Sequence, residues 1–381
     1  MTLPAAAAAV IADAVVAGVF PAATVEVGSS ASPIYTGAFH IDFAAPFDLA
    51  SLTKVVATTT VVMALVEERS LQLDERVSAF FGEWRGADRD TVTVRDLLEH
   101  SSGLPARLLD APPAGRREFE HEICAMPLEY APRTRSVYSD LGFILLGFLA
   151  ADRGGAPLDE LFDRITVRLK PDTTEDTNGD SGNVRLDPDI DSGSVRLQPD
   201  LGSGNVRLQP DLLTFSLPPG VRDLAAPTRP MNEDSRRGRL LVGEVHDNYA
   251  AALGGSAGHA GLFGTASGVG AFARTALRAS RGDADLPPPF SPELVTMFTT
   301  KTRVPGSSRA LGWDTMLPTS SCGTRMSPHA FGHVGYTGTS LWIDPVRDRY
   351  FVLLTNRVFG AGTIDDMRSV RRAFHDALGD V

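Results

Sequence analysis

The chain has 381 residues, of which 43% are hydrophobic and 22% charged, and these proportions are ordinary for a soluble globular protein with one large core or two lobes. The formal net charge is −11 and no basic block is present, which argues against a nucleic acid or an anionic membrane surface as partner. No apolar run approaches the roughly 20 residues of a transmembrane segment.

The first elements are predicted to be a helix and a hairpin. Residues 1–20 are rich in alanine, lack a basic region and contain Asp13, which favours an amphipathic helix over a signal peptide. Because no export signal is recognised, we expect a cytoplasmic protein. Ala23–Gly28 and residues 33–38 are then predicted to form a short β-hairpin.

Ser51 and Lys54 form a Ser-x-x-Lys pair at the start of a predicted buried helix. An apolar run covers residues 55–66 and ends in three charged residues, so Ser51 is expected in the first helical turn. There the free backbone N–H groups and the helix dipole favour negative charge. Residues three apart share one helix face, and a serine hydroxyl needs a neighbouring base to become a nucleophile.

Lysine is rare in this chain, which draws attention to Lys54. The only lysines are Lys54, Lys170 and Lys301. A buried lysine can lose its proton, whereas arginine stays charged. The Ser-x-x-Lys spacing is also common by chance, so its interpretation as nucleophile and base depends on the helix context.

Helical segments are predicted to dominate from Ser51 to about Asp152, and one junction within them carries polar groups. Tyr138, Ser139 and Asp140 immediately precede an apolar helical run over residues 141–147. A tyrosine at such a junction can be a packing residue with a satisfied hydroxyl, or it can take part in catalysis.

A tandem repeat interrupts this pattern. The sequences VRLKPD, VRLDPD, VRLQPD and VRLQPD begin at residues 167, 184, 195 and 206. The repeats are too short and polar to bury a solenoid core. We therefore expect a largely disordered insertion over residues 166–212, with a small β-ribbon as the alternative, and we expect its deletion to leave folding and activity intact.

The last part of the chain is predicted to form strands and a closing helix. Residues 332–337, Ser340–Asp344 and Arg349–Thr355 are β-rich, and Pro345 and Asp348 favour a turn between the last two. Residues 363–381 are expected to form a helix. The two ends of the chain (1–65 and 300–381) are therefore expected to build an α/β lobe with an antiparallel sheet, and residues 66–299 an inserted, mainly helical lobe.

The order Ser51-x-x-Lys54, Tyr138-Ser139-Asp140, His333-x-Gly335 resembles the serine β-lactamase and penicillin-binding-protein superfamily. The closest branch is that of class C β-lactamases, DD-peptidases, D-aminopeptidases and related esterases. The resemblance extends through residues 47–60, 93–105, 137–147, 244–266 and 332–345, and covers nearly the whole chain except the insertion. It implies the β-lactamase/transpeptidase-like fold.

The resemblance also implies a two-step acyl transfer. Ser51 would attack a carbonyl and form an acyl-enzyme, while Lys54 and Tyr138 would share the roles of general base and acid. The backbone N–H groups of Ser51 and Tyr336 would form the oxyanion hole, with His333 and Gly335 on the substrate-binding strand. Water would then release the acyl group, without a metal or an organic cofactor. Relatives of this kind are often exported.

Two departures from the family pattern bear on the substrate. Asp140 stands where the family most often has asparagine, and an ionised carboxylate can only accept hydrogen bonds. It would also favour the protonated form of Lys54. His333 replaces the lysine of β-lactamases. Both point to an esterase or a D-amino-acid peptidase or amidase, acting on small-molecule or peptide substrates that include cell-wall fragments, with weak β-lactamase activity.

Three alternatives stay open on the residues alone. Residues 254–258 match the G-x-S-x-G elbow of α/β-hydrolases with Ser256 as nucleophile, although no strand is predicted before them. The chain could also be a non-hydrolytic penicillin-binding or sensor module of the same fold. His246, Asp247 and His259 are expected to be a structural, hydrogen-bonded group near the site, because their spacing does not make a zinc site.

Two further expectations concern the cysteines and the pocket. Cys124 and Cys322 are expected to be free thiols. The wall of the substrate pocket is expected to come partly from residues 104–126 and from the region of Trp313.

Overall fold

The structure is a computed structural model that describes residues 1–108, 112–169 and 211–379. Its helices are α1 (Ala5–Val16), α2 (Thr60–Glu67), α3 (Val94–Leu98), α4 (Arg116–Ala125), α5 (Asp140–Gly154), α6 (Leu158–Leu169), α7 (Pro219–Arg222), α8 (Asn248–Ala252), α9 (Ala266–Ser280), α10 (Pro292–Thr299) and α11 (Ile364–Leu378). Its strands are β1 (Ala23–Gly28), β2 (Pro33–Phe39), β3 (Phe47–Asp48), β4 (Leu213–Thr214), β5 (Phe263–Gly264), β6 (Asp314–Thr315), β7 (Phe331–Val334), β8 (Ser340–Asp344) and β9 (Arg349–Thr355).

A six-stranded sheet joins the two ends of the chain, in the order β2-β1-β9-β8-β7-β6. All of its neighbouring strands are antiparallel. The predicted N-terminal helix, hairpin and closing helix are all present, so the expectation of an antiparallel sheet built from both ends is confirmed. The strand expected over residues 332–337 is β7 and already ends at Val334, because the N–H of Gly335 donates to the Thr339 carbonyl and closes a turn.

Alternate side chains of the sheet enter two separate cores, as the two-residue period of a strand requires. Val25 and Val27 pack with Ile11 of α1 and Phe374 of α11. On β9, Val352 belongs to the other core. There α9 lies against β1, β8 and β9. This helix packs on the sheet although it lies inside the range 66–299 assigned to the helical lobe, and the division at residues 65 and 300 stays a prediction.

The helical part surrounds α5, whose residues from Asp140 to Ala150 are all buried. Within the described ranges, no single helix is long and apolar enough to cross a membrane. The consecutive segments Asp140–Gly154 and Leu158–Val167 meet that criterion only jointly, and they are bent by 71° to each other.

The repeat insertion lies largely at residues 170–210, outside the described residues. Its two described ends are structured, which corrects the boundary of 166–212. Helix α6 continues to Leu169, so the first repeat begins inside a helix. At the other end Leu212 is 7% exposed and its carbonyl accepts from the N–H of Thr265. Hydrophobic burial therefore fixes the end at Leu212 to the fold.

Candidate active site

The segment before Ser51 is held in a strained turn. Ala50 has φ of 47°, a region that residues with a β-carbon rarely occupy. Asp48 accepts a hydrogen bond of 2.8 Å from the Ala50 N–H, and Thr53 Oγ1 donates to the Ala50 carbonyl at 2.6 Å. The helix that follows begins with a π-helical stretch, Lys54–Thr59, before α2. A π-helical stretch is rare and often marks a functional site.

Lys54 is fully buried and contacts three acceptors. Its Nζ donates to Ser51 Oγ at 3.1 Å, to Asp140 Oδ1 at 2.8 Å and to the His259 carbonyl at 3.0 Å. Burial alone would lower the pKa of this amine, but the Asp140 carboxylate and Tyr138 outweigh burial and raise the pKa above its ordinary value. The resting amine is therefore an ammonium that donates to Ser51.

Asp140 lies in the first turn of α5, which Ser139 caps by accepting a hydrogen bond from the Gly142 N–H. One carboxylate oxygen contacts Lys54 and the other contacts Arg107 Nη1 at 3.0 Å. The sequence-based expectation that Asp140 would favour the charged form of Lys54 is therefore supported by a direct contact. Arg107 was not identified from the sequence.

Tyr138 lies among three other side chains. Its ring centroid is 4.7 Å from that of His100 and 5.8 Å from that of His333. The Lys54 ammonium is 4.9 Å from the ring centroid and the Arg309 guanidinium 5.0 Å. The hydroxyl is buried and has no hydrogen-bond partner among the described residues. Because a buried hydroxyl without a partner is costly, Tyr138 is not the satisfied packing residue considered as an alternative.

His333 lies on β7 and is neutral. Burial lowers its pKa well below the usual value, and Arg309 and Lys54 lower it further. Its Nδ1 is 2.9 Å from the Val334 carbonyl, which requires Nδ1 to carry the proton. The Nε2 atom is then an acceptor, and within the part of the chain that the structure describes it has no partner.

Two backbone N–H groups are available beside the nucleophile. Neither the Ser51 N–H nor the Tyr336 N–H donates to an acceptor within the described ranges. The Tyr336 ring is 48% exposed, yet its position is fixed. Its ring stacks on His246 at 5.6 Å, and its carbonyl accepts from Arg357 Nε at 3.0 Å.

A cavity of about 330 Å³ brings most of the predicted residues together. It is lined by Ser51, Tyr138, Arg309, Asp314, His333, Val334, Gly335, Tyr336, Arg357, Ile364, Met367 and Arg371. Lys54 and Asp140 join the site through the hydrogen bond from Lys54 to Ser51. Residues 104–126, in their described part, contribute nothing to this lining. Trp313 itself packs in the core against Phe272 and Phe331, but its neighbours Arg309 and Asp314 line the cavity. The expected wall is therefore confirmed for the region of Trp313 and wrong for residues 104–126.

The structure also decides between the alternatives for the histidine–aspartate group, Ser256 and the two cysteines. His259 Nε2 lies 2.8 Å from Asp247 Oδ1, which confirms the expected structural pair, while His246 stacks separately on Tyr336. Ser256 follows α8, and a nucleophile elbow needs a strand there, so the α/β-hydrolase alternative is wrong. Both cysteines are free and buried, as expected.

Arg107, Arg309 and His100 were missed by the sequence reasoning. His100 lies within the family-like stretch 93–105, and its φ of 56° could not be read from that stretch. Arg107 and Arg309 belong to loops that carry no periodic pattern. Only their contacts in the fold identify them.

Comparisons with known proteins agree with this geometry. A sequence profile of the family described as Beta-lactamase matches residues 1–374. A relative from Escherichia coli K12 with the provisional name D-alanyl-D-alanine carboxypeptidase is 30% identical over 341 residues, which cover 82% of this chain and 69% of that protein. An N-acetylmuramyl-L-alanine amidase from Bacillus subtilis 168 is 29% identical over 345 residues, which cover 82% and 68%.

Solved structures share the fold at low sequence identity. The hydrolase EstCE1, described as having promiscuous acyltransferase activity, has a TM-score of 0.68 with 19% identity, covering 98% of this chain and 97% of that one. A class C beta lactamase from Rhodobacter sphaeroides has a TM-score of 0.67 with 16% identity, covering 98% of both chains. The fold is thus β-lactamase/transpeptidase-like, and the chain belongs to the Beta-lactamase family of serine hydrolases.

Proposed function

We propose that this protein hydrolyses an ester or a D-amino-acid amide or peptide through an acyl-enzyme on Ser51. The observation that carries the proposal is the 3.1 Å hydrogen bond between Lys54 Nζ and Ser51 Oγ, at a serine that lines an open cavity. A serine in contact with a proton-exchanging amine and accessible to a ligand is the arrangement that nucleophilic catalysis requires.

In the acylation step Ser51 Oγ forms a bond to the substrate carbonyl carbon and loses its proton. The free N–H groups of Ser51 and Tyr336 would donate to the oxyanion, which such donors stabilise by about 3–4 kcal/mol each. The bond to the leaving alcohol or amine then breaks, and the leaving group takes a proton. Water attacks the acyl-enzyme in the second step and regenerates the serine.

Lys54 and Tyr138 would divide the proton transfers between them. The contact with Asp140 raises the pKa of Lys54 against the effect of burial, so the resting ammonium cannot itself accept the proton of Ser51. The Tyr138 hydroxyl is unpaired in the described structure and its ring lies 4.9 Å from the Lys54 ammonium. We assign a proton relay to Tyr138: its oxygen takes the proton of Ser51 while its own proton passes to the leaving group, with Lys54 stabilising the charge that forms.

The substrate class is proposed from the departures at Asp140 and His333 and from the names of the relatives. Both carboxylate oxygens of Asp140 accept hydrogen bonds, one from Lys54 and one from Arg107. A carboxylate also lacks the N–H donor that an asparagine would offer to a substrate carbonyl. His333 is neutral and presents an acceptor where β-lactamases have an ammonium. Two relatives are named as a carboxypeptidase and an amidase, which supports an ester, amide or peptide over a dedicated β-lactam substrate.

The experiment that tests the proposal is fluorophosphonate labelling of the intact protein, followed by mass mapping of the modified peptide. We expect one adduct, on Ser51, that Ser51→Ala abolishes. Ser256→Ala is the matched control, because Ser256 is partly buried like Ser51 and the proposal gives it no role. Turnover would then be compared for nitrophenyl esters, D-alanyl anilides and a penicillin.

Two outcomes would contradict the proposal. An adduct on another serine would remove Ser51 as nucleophile. An adduct on Ser51 combined with a penicilloyl-enzyme that is never released, and with no ester or amide turnover, would favour the non-hydrolytic penicillin-binding module.

A further inference from the structure

Arg107 joins a buried carboxylate, Asp140, to a half-buried one, Asp247, at the back of the site. Its Nη1 donates to Asp140 Oδ2 at 3.0 Å and to Asp247 Oδ2 at 3.1 Å. Its Nη2 donates to Asn248 Oδ1 at 3.0 Å, and its guanidinium lies 4.2 Å from the centroid of the Tyr249 ring. These contacts hold the guanidinium in one orientation, and its two carboxylate partners are only 11% and 15% exposed.

The same contacts connect Arg107 to the nucleophile through a continuous chain of hydrogen bonds. Asp140 contacts Lys54 at 2.8 Å, and Lys54 contacts Ser51. On the other side Asp247 contacts His259 at 2.8 Å. Two cations, Lys54 and Arg107, alternate with two carboxylates, Asp140 and Asp247, so the charges of these four side chains balance. Removing one member leaves a buried charge without compensation.

The charged and titratable neighbours of this cluster come from every element packed against it. The cluster consists of the charged side chains of Lys54, Asp140, Arg107 and Asp247. The groups that face it directly are Ser51, Tyr138, His259, Asn248 and Tyr249. Those at longer range are Asp48, His246, His333, His100 and Arg309. Among these described groups, Arg107 is the cation in direct contact with the second oxygen of Asp140.

We propose that Arg107 is a positioning residue that sets the pH range in which Ser51 reacts. Its contact with Oδ2 orients the Asp140 carboxylate toward Lys54, and it places a fixed positive charge behind the Ser51, Lys54 and Tyr138 group. This inference rests on the proposed function of Ser51. It adds a member to the catalytic machinery that does not touch the substrate.

The sign of the effect does not depend on whether Lys54 or Tyr138 is the base. A nearby cation lowers the pKa of any group that must lose a proton, and a nearby carboxylate raises it. Loss of Arg107 therefore moves the acidic limb of the pH–rate profile to higher pH. Loss of the Asp247 charge moves it to lower pH. A purely structural defect would lower the rate without shifting the limb in opposite directions.

The test is the rate of fluorophosphonate labelling of Ser51 as a function of pH. We expect Arg107→Gln to shift the acidic limb upward by about one unit, because the side chain is 36% exposed and water screens part of its field. Asp247→Asn should shift the limb downward, and Arg107→Lys should restore the wild-type limb. Arg116→Gln is the matched control, since Arg116 is 42% exposed and pairs with Asp152, which is not a member of this chain of contacts.

The outcomes separate this inference from the proposed function. A wild-type protein without label on Ser51 would remove both. A labelled wild type whose acidic limb is unmoved in Arg107→Gln, or is moved equally by Asp247→Asn and by Arg107→Gln, would remove only the role of Arg107. If Arg107→Gln fails to fold, as judged by its thermal transition, Asp247→Asn still decides the question through the direction of its shift, and Arg107→Lys should keep the wild-type limb.

Discussion

The charge on Lys54 results from two opposing influences. The amine is 0% exposed, and burial of that kind favours the neutral form. Asp140 Oδ1 lies 2.8 Å away and favours the ammonium, and the balance raises the pKa. A single carboxylate therefore decides whether the residue beside Ser51 is a proton donor or a proton acceptor at rest.

Replacing Asp140 by asparagine should reverse that balance. In Asp140→Asn burial would dominate, so the pKa of Lys54 should fall below its ordinary value. The direct measurement is a pH titration of the lysine side-chain carbons by NMR. In a background carrying Lys170→Arg and Lys301→Arg, Lys54 is the one lysine left, so its signal needs no further assignment.

The same variant has an expected chemical consequence. A neutral Lys54 could accept the proton of Ser51, and the asparagine amide could donate to a substrate carbonyl. Acylation by a penicillin should therefore become faster in Asp140→Asn. An unchanged acylation rate, or a Lys54 that titrates as in the wild type, would disprove this account of Asp140.

At the scale of elements, the turn after β7 is clamped to the segment that carries Ser51. Thr337 Oγ1 donates to the Asp48 carbonyl at 2.8 Å, and Thr339 Oγ1 donates to the Leu49 carbonyl at 2.9 Å. Gly335 makes this approach possible, because a Cβ there would lie 2.1 Å from Thr339 Oγ1 and 2.7 Å from the Leu49 carbonyl oxygen.

Gly335→Ala should therefore separate β7 from Ser51. The backbone would have to move by roughly 1 Å, a displacement that can cost about 100-fold in rate. We expect labelling of Ser51 to slow by that order while the thermal transition stays cooperative. Gly82→Ala is the control, since a Cβ at Gly82 would meet nothing within 4 Å. Equal labelling rates in the two variants would contradict the clamp.

Local patterns were enough to predict the elements but not their long-range contacts. The hairpin, the closing helix and the helix after Ser51 depend on periodicity within about ten residues, and all are present. The contact between Lys54 and Asp140 spans 86 residues and was reached through motif resemblance. The contact between Arg107 and Asp247 spans 140 residues and depends on two loop conformations that no motif specifies.

At the scale of the whole molecule, the described ends of the insertion are part of the structure that supports the site. Strand β4 pairs with β5, and β5 pairs with β3, which leads directly to Ser51. Leu212 precedes β4 and packs in a buried cluster with Leu217 and Phe263. On the other side α6 packs against β4, and Phe162 meets Phe215 edge to face at 6.0 Å.

Two deletions should therefore differ although they overlap almost completely. Removal of residues 170–210, with a short Gly-Ser linker in their place, should leave both the free energy of unfolding and the labelling of Ser51 close to wild type. Removal of residues 166–212 also takes away Leu212 and the last turn of α6. Loss of one buried leucine alone costs about 2–5 kcal/mol of the free energy of unfolding. The protein with the longer deletion should therefore unfold at lower denaturant concentration, and its Ser51 should be labelled more slowly.

The measurement is a denaturation curve and a Ser51 labelling rate for each of the two deletion variants. If the shorter deletion is as unstable as the longer one, residues 170–210 are required for folding and the boundary lies inside them.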